Sequence, residues 1–432
     1  MVVSARSVAI LGAFGLLLGN IGRIPAIALG GRSTPLVFDD IVVVVMWLML
    51  FAAITSGFTQ IIIDEVMTGA VAFVASASVS TILAFTRYNI GFLDGAGVVA
   101  FLARWIAYFG WYPFVLWCLT TDESRDVWRF IERALLAFAL FGIFQSASLP
   151  GFAQMIHDGG DMPQWDVQGR RLVSSMLDPN FAGILVVIAL LFRLARVAEG
   201  LKESAWTLVA LATAVLLTVS RSSILAMVVG LVSIVTARGV RTRLFRVIAI
   251  GALLLAPFLS LLLTFAASFN KLQYDNSAAQ RLVPWFRAGR LLIEHPWMGV
   301  GFNAIKQAQE AHGWRMVGGA DVSFDGGLIF VAAMTGAVGV LLYARMLIRV
   351  SRGARRVWKD KDVDPIDQAH ATATVAATVA VVAHSFFVNS LLLPFVMQVL
   401  WVMWGRLAHI RAERRARIKL TSPMLMAYQP PS

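Results

Sequence analysis

Guanidinium groups and two candidate bases stand out in a chain that is otherwise apolar. The stretch RLVPWFRAGRLLIEHPWMGVGF, beginning at Arg281, carries three arginines, a glutamate, a histidine and a Gly-x-Gly turn. Arg281, Arg287 and Arg290 can each offer a planar fork of donors to a phosphate or carboxylate, a geometry that a lysine ammonium cannot match. The segment is predicted to be a helix from Arg281 to Glu294, with Pro284 in the first turn, where its missing N–H does little harm. Its apolar face would then hold Leu282, Trp285, Phe286, Leu292 and Ile293. Arg287, Arg290 and Glu294 share the opposite face, where a solvated salt-bridge stripe explains them as well as an anion site does. Arg281 leaves that stripe and lies at the helix start, where backbone N–H groups also attract anions.

Two groups downstream could take a proton. NAIKQAQEAHG reads as a second short amphipathic helix with His312 on the face of Ile305 and Ala308. There an imidazole either bonds to backbone carbonyls at the helix end or serves as a general base. Asp325, in DVSFDGG, precedes a long apolar run and is expected to cap its helix; a carboxylate beside arginines can also deprotonate a hydroxyl. Upstream, GRRLVSSMLDPN supplies Arg170 and Arg171 as phosphate contacts, followed by Asp178-Pro179-Asn180, which reads as a helix start. SRSS puts Arg221 at the tip of a tight hairpin, where it either snorkels or holds a phosphate. Arg104, among Trp105, Tyr108 and Trp111 in an apolar run, is costly in lipid and therefore a functional candidate. His384, near the end of a later run, is a weaker one. The outer segments contain no nucleotide-binding loop, zinc-type His/Cys spacing or DxD pair, so neither a metal nor a cofactor is implied.

The elements that must hold these groups are membrane spans. The 432 residues are 58% hydrophobic and only 14% charged, against about 25% charged in a soluble domain. Apolar runs long enough for a ~30 Å hydrocarbon core recur throughout. They fall near 8–29, 36–56, 66–85, 96–119, 134–149, 179–196, 205–219, 222–237, 247–267, 327–348, 368–387 and 390–408. The first is read as an uncleaved span. The net charge of +12 does not indicate nucleic acid, because the basic residues crowd into short loops. With both termini cytoplasmic, 24 of the 37 basic residues lie inside and 12 outside, with Arg104 in the membrane. The fold class is thus an all-α polytopic membrane protein of about 12 transmembrane helices. Residues 1–419 form one bundle, with outer loops at 150–178 and, between spans nine and ten, at 268–325. A disordered cytoplasmic tail is expected at 420–432. The single Cys118 excludes an intramolecular disulfide.

LLTVSRSSILAMVVGLV, RLVPWFRAGRLLIEHPWMGVGF and DGGLIFVAAMTGAVGVLLY, in this order and around a large outer loop, resemble the O-antigen ligase / Wzy-type polymerase superfamily of bacterial envelope glycosyltransferases. These pieces span residues 205–345, and GRRLVSSMLDPNFAG extends the likeness upstream. The resemblance implies action on oligosaccharides carried by undecaprenyl diphosphate at the outer face of the inner membrane. The glycan passes to an acceptor hydroxyl without a metal or nucleotide. It gives Arg221 and Arg281 the family's arginine positions, which engage the diphosphate. Ligases of this kind carry HNxxL before the GxxG of span ten; here Asp325 stands at the histidine position and GGLI replaces the rest, leaving Asp325 or His312 as the base. Polymerisation of a surface polysaccharide is the first reading, and ligation of finished glycan to lipid A–core is the second. The implied partners are the lipid-linked donor, an acceptor glycan, the bilayer and other polysaccharide export proteins, with no nucleic acid. A lipid-linked oligosaccharide flippase would also be polytopic and arginine-lined. Transporters, however, usually show inverted repeats and broken midplane helices, and the sequence shows neither.

Overall fold

Helices long enough to cross a bilayer follow one another along nearly the whole chain. The computed structural model describes residues 4–23, 28–29, 32–33, 36–59, 61–156, 169–238, 277–314 and 326–427. Helices α1 (Ala5–Leu18), α2 (Phe38–Thr55), α3 (Glu65–Tyr88), α4 (Phe92–Phe109), α5 (Trp111–Cys118) and α6 (Thr121–Ser148) come first. The short α7 (Phe152–Ile156) leads to α8 (Pro179–Ala198), α9 (Ala205–Leu217) and α10 (Arg221–Arg238). The segment expected on the outer face contributes α11 (Ser277–Glu294) and α12 (Ile305–Ala311), and α13 (Gly327–Trp358), α14 (Pro365–His384) and α15 (Pro394–Ala427) complete the bundle. Among the described residues the only strands are a two-residue antiparallel pair, Ala28–Leu29 with Arg32–Ser33.

Among the described residues, seven helices are long and apolar enough to cross a membrane, and Ala205–Leu217 and Arg221–Ala237 are shorter apolar helices. The protein is therefore a multi-pass membrane protein. The expected ninth span, 247–267, lies outside the described residues. Two segments expected as inner loops prove to be helix. The arginines Arg125, Arg129 and Arg133 ride on the first turns of α6, started by a capping box between Thr120 and Glu123. Likewise α13 continues past its apolar part to Trp358. Hydropathy marks only the part of a helix in lipid, while Arg, Glu and Lys propagate it beyond. For the same reason α15 continues to Ala427, into the stretch expected to be a tail.

The centre of the bundle is α14, of which 72% is buried, against 28% for the peripheral α2. It packs against α8, α10, α13 and α15. Its sequence, AHATATVAATVAVVAH, is nearly all small residues, which let neighbouring backbones approach closely. Thr372, one of the hydroxyls this brings into the core, donates to Glu199 Oε1 at 3.0 Å, and others are satisfied within the helix. Thr374 and Thr378 donate to the carbonyls four residues back, at 2.7 Å each, and Trp404 Nε1 donates to Thr378 Oγ1 at 3.0 Å. Burying α14 fixes His384 at its end.

Candidate functional site

Three helix ends and one loop converge around His384. Helix α8 starts as the Asp-Pro-Asn pattern predicts: Asp178 Oδ1 accepts from the Asn180 and Phe181 amides at 2.7 and 3.1 Å, with Pro179 at the first helical position. Asn180 Oδ1 in turn accepts from Ser220 Oγ at 2.8 Å. Ser220 belongs to the hairpin between α9 and α10, and Ser220 Oγ contacts Ser222 Oγ at 3.1 Å while accepting from Ser223 Oγ at 2.9 Å. His384 is fully buried. Its Nε2 meets the Ser222 and Ser223 hydroxyls at 3.1 and 3.2 Å, and its Nδ1 meets Ser390 Oγ at 2.6 Å. The imidazole thus ties SRSS to the loop after α14. It positions the hairpin.

The hairpin's other support is Arg171. Its Nε donates to the Thr218 carbonyl at 2.9 Å and Nη2 to Val219 at 3.2 Å, satisfying carbonyls at the end of α9. Buried Gln145 holds the loop that carries Arg171, accepting from the Val173 and Ser174 amides at 3.0 and 3.2 Å. The guanidinium expected to contact phosphate is therefore engaged in holding the turn. Arg170, beside it, is exposed, and its carbonyl accepts from Ser146 Oγ at 2.6 Å. Arg221 is exposed at the first position of α10.

Helix α13 begins against this hub. The Gly327 amide donates to the Val388 carbonyl at 3.2 Å and the Leu328 amide to Ser385 at 3.0 Å. Gly326, at φ 112°, is the N-cap, and a Cβ there would lie 2.8 Å from the Phe386 carbonyl oxygen. The capping role expected of Asp325 thus falls to a residue without a side chain. A two-glycine start is what this close approach to the His384 loop requires. Asp325 itself lies outside the described residues.

Downstream the outer segment inserts into a break in α13. Gly336 has φ 62° and ψ −166°, which interrupts the helix. Residues 296–301 occupy the gap: Ala337 and Val338 donate to the Pro296 and Trp297 carbonyls at 2.8 and 3.2 Å. In return, Val300 and Gly301 donate to Ala333 and Met334 at 2.9 and 3.0 Å. Ser80 of α3 donates to Met334 O at 2.8 Å and also to Met298 O. The GVGF turn is thus a plug that satisfies backbone groups freed inside an apolar helix. This also corrects the sequence reading, which found no broken span.

Helix α11 starts four residues earlier than expected. Ser277 leads it, so Pro284 falls in its interior and Arg281 in its second turn, away from the terminal N–H groups. Only the backbone of Arg281 is described. The buried stripe is Pro284, Ala288 and Leu291, whereas Phe286 and Ile293, expected inside, are 77% and 81% exposed. On the polar side, Arg287 Nη1 donates to Gln309 Oε1 at 2.9 Å and Arg290 Nε to Glu294 Oε1 at 3.0 Å. Both guanidiniums lie over the Trp314 ring, at 5.4 and 5.7 Å. His312 Nδ1 meets the Ala308 carbonyl at 2.7 Å and Nε2 meets Glu294 Oε2 at 2.6 Å. With both nitrogens facing protein oxygens, His312 latches α12 to α11. The bond from Arg290, then that from His312, holds the Glu294 carboxyl below the usual carboxylate range. Burial, followed by the nearby Arg87 charge, lowers His295.

Arg104 is paired. Its Nε donates to Asp40 Oδ1 at 3.0 Å, Nη2 bonds Asp40 Oδ2, and Tyr108 OH donates to Asp40 Oδ1 at 3.2 Å. It lines a cavity of about 20 Å³ with Phe302 of the plug and Leu392 and Pro394 of the His384 loop. Sequence reasoning missed Asp40, Asn180, Ser390 and the serines of SRSS. Their one signal was polarity at the rim of an apolar run.

A family model described as O-antigen ligase matches residues 206–344, from α9 into the second half of α13. No curated protein matches the chain. The match covers the hairpin, the outer segment and the broken helix, and it supports the resemblance to the O-antigen ligase and Wzy-type polymerase superfamily.

Proposed function

We propose that the protein polymerises undecaprenyl-diphosphate-linked repeat units of a surface polysaccharide at the outer face of the bacterial inner membrane. The observation that carries this reading is the hydrogen-bonded joining of SRSS, the start of α8 and the His384 loop beside Gly326, all at one end of the bundle. Arg221 and Arg281 hold the donor diphosphate, and exposed Arg170 is a further contact. Asp325 takes the proton of the acceptor hydroxyl. The acceptor oxygen bonds to the anomeric carbon as the carbon–phosphate oxygen bond breaks, and undecaprenyl diphosphate leaves with the electron pair. Guanidinium groups stabilise that developing charge. A single displacement inverts the anomeric centre, and no metal takes part. His312 is released from the base role, and Arg287 and Arg290 serve the α11–α12 contact.

The test is turnover of a defined lipid-linked repeat unit by purified full-length protein. A ladder of lengthening lipid-linked products in the presence of EDTA is expected. Absence of turnover, or strict need for added divalent metal, overturns the reading. Arg281→Lys keeps the charge and loses the fork, so the rate is expected to fall about a hundredfold, equivalent to ~3 kcal/mol, at normal protein level.

The description of the matched family favours a second reading, ligation to lipid A–core. A deletion strain separates the two. Single repeat units accumulating on the carrier indicate a polymerase, and long lipid-linked chains beside unmodified lipid A–core indicate a ligase.

A further inference from the structure

At the other end of α14, fourteen residues and about 21 Å from His384, a second polar cavity has no assigned role. It is a space of about 60 Å³ lined by Arg125, Arg129, Glu132, His370 and Arg406, with Trp128 among its walls. One water needs ~10–15 Å³ of such space, so the cavity takes a small cluster of waters or one tetrahedral oxyanion. Two of its residues are almost wholly buried, His370 at 3% and Arg406 at 1% exposure.

The donors and acceptors around it are incompletely used. Arg406 spends Nη2 on Asp367 at 2.6 Å and Nη1 on Ser124 Oγ at 3.1 Å, yet its Nε has no partner. Arg125 Nη2 reaches Asp367 at 3.3 Å and Asp364 at 3.7 Å, and its Nε is likewise without a partner. His370 Nε2 faces the Met403 carbonyl at 3.1 Å and must carry the proton there, because a carbonyl only accepts. Its Nδ1 is then a bare acceptor, also without a partner. The carboxylates present are already engaged. Glu132 accepts from Trp128 Nε1 at 2.8 Å and pairs with Arg193 at 3.3 Å, while Asp367 serves two guanidiniums.

Two N–H donors and one acceptor without partners thus belong to residues that line one cavity, and an occupant that satisfies them presents oxygens to the guanidiniums and a hydroxyl to the imidazole. We infer that this end of the bundle, which the charge bias assigns to the cytoplasm, binds a phosphate group bearing one hydroxyl: hydrogen phosphate itself or a phosphate monoester. Sulfate has the same shape and negative oxygens but no proton to donate near neutral pH. A phosphodiester likewise has none on its phosphate.

The test uses full-length protein in nanodiscs of zwitterionic lipid, titrated with inorganic phosphate and followed by thermal unfolding and 31P line broadening. A saturable response is expected, at least tenfold weaker with sulfate. Loss of one charge-assisted bond in Arg125→Lys is expected to weaken phosphate about tenfold. In His370→Asn the preference for phosphate over sulfate is expected to disappear. The source is read by adding lipid: competition by phosphatidic acid assigns a lipid monoester, and its failure to compete assigns free phosphate. No saturable response, or equal responses to sulfate or to phosphatidylglycerol, overturns the inference and leaves a water-filled cavity. The wild-type phosphate-to-sulfate comparison decides the matter even if either variant fails to fold.

Discussion

The hub around His384 and the plug at Gly336 build the two sides of the same membrane end by opposite means. The hub is held side chain to side chain: a buried imidazole, four serine hydroxyls and one asparagine share hydrogen bonds across three helix ends. The plug is held backbone to backbone, and a Cβ on Gly299 or Gly336 would come within 2.5 Å of the opposing chain. A side-chain network tolerates small shifts, because hydroxyls rotate to suit their partners. A backbone splice does not, because its atoms have nowhere to go. The hub can therefore position a reacting group with some give, while the plug sets the rigid wall beside it.

The largest expected effect breaks the plug. In Gly336→Val a Cβ would lie 2.4 Å from the Trp297 carbonyl carbon at a φ of 62°. Strain and overpacking together cost about 3 kcal/mol or more. Loss of monodisperse protein, or a steep drop in Tm, is expected on gel filtration and thermal unfolding; a wild-type Tm would show that the splice is not as drawn.

Next comes chemistry without loss of fold. Because Gly326 and not Asp325 is the N-cap of α13, Asp325→Asn has no cap to disturb. Turnover is expected to fall by about 10²–10⁴ if the carboxylate is the base, with Tm unchanged. His312→Gln is expected to reduce turnover far less, since its nitrogens already face Ala308 and Glu294. The reverse ranking would return the base to His312.

Smaller again is His384→Leu, which deprives the Ser222, Ser223 and Ser390 hydroxyls of their shared partner. Each buried polar group left unsatisfied costs roughly 1–3 kcal/mol, reduced where serines re-pair among themselves. A moderate fall in Tm is expected, with a fall in kcat at unchanged KM as SRSS loses its register. A lower Tm with untouched kcat would make the hub merely structural.

The contrast also explains what could be read in advance. The Asp-Pro-Asn start of α8, the tight SRSS hairpin and the short helix α12 depend on local rules and stand as expected, whereas α11 forms but starts four residues early. The break at Gly336 was not legible, because a lone glycine in an apolar run looks like any other helical glycine until a second backbone meets it. Phe286 and Ile293 were assigned inward because apolar periodicity cannot tell a core-facing stripe from one left on the molecule's outside. His384 looked like a site residue because burial and partners are tertiary facts. Arg171 was misjudged for the same reason: a guanidinium suits a helix's last carbonyls as well as a phosphate.

The smallest expected effect sharpens the comparison through pH, since the segment next to the plug carries two groups shifted from their ordinary values. Glu294 is held below the usual range by Arg290 and His312, so its contribution is complete above ~4.3 and is lost as pH falls through the lower folded value. His295 is also lowered, by burial and then by Arg87. Its folded form prefers to stay neutral, so stability falls as pH drops below ~6.5 toward its folded value. Both groups weaken the segment on acidification, but in separate windows. The protection factors of the α12 amides, which discount the pH dependence of intrinsic exchange, should therefore fall in two steps between pH 7 and pH 3.5. Glu294→Gln is expected to remove only the acid step and His295→Gln only the upper one. Exposure and salt screening keep each step modest. A profile in Glu294→Gln identical to wild type would mean that the Glu294–His312 latch does not hold α12 to α11, leaving that to the Arg287–Gln309 bond and the backbone splice.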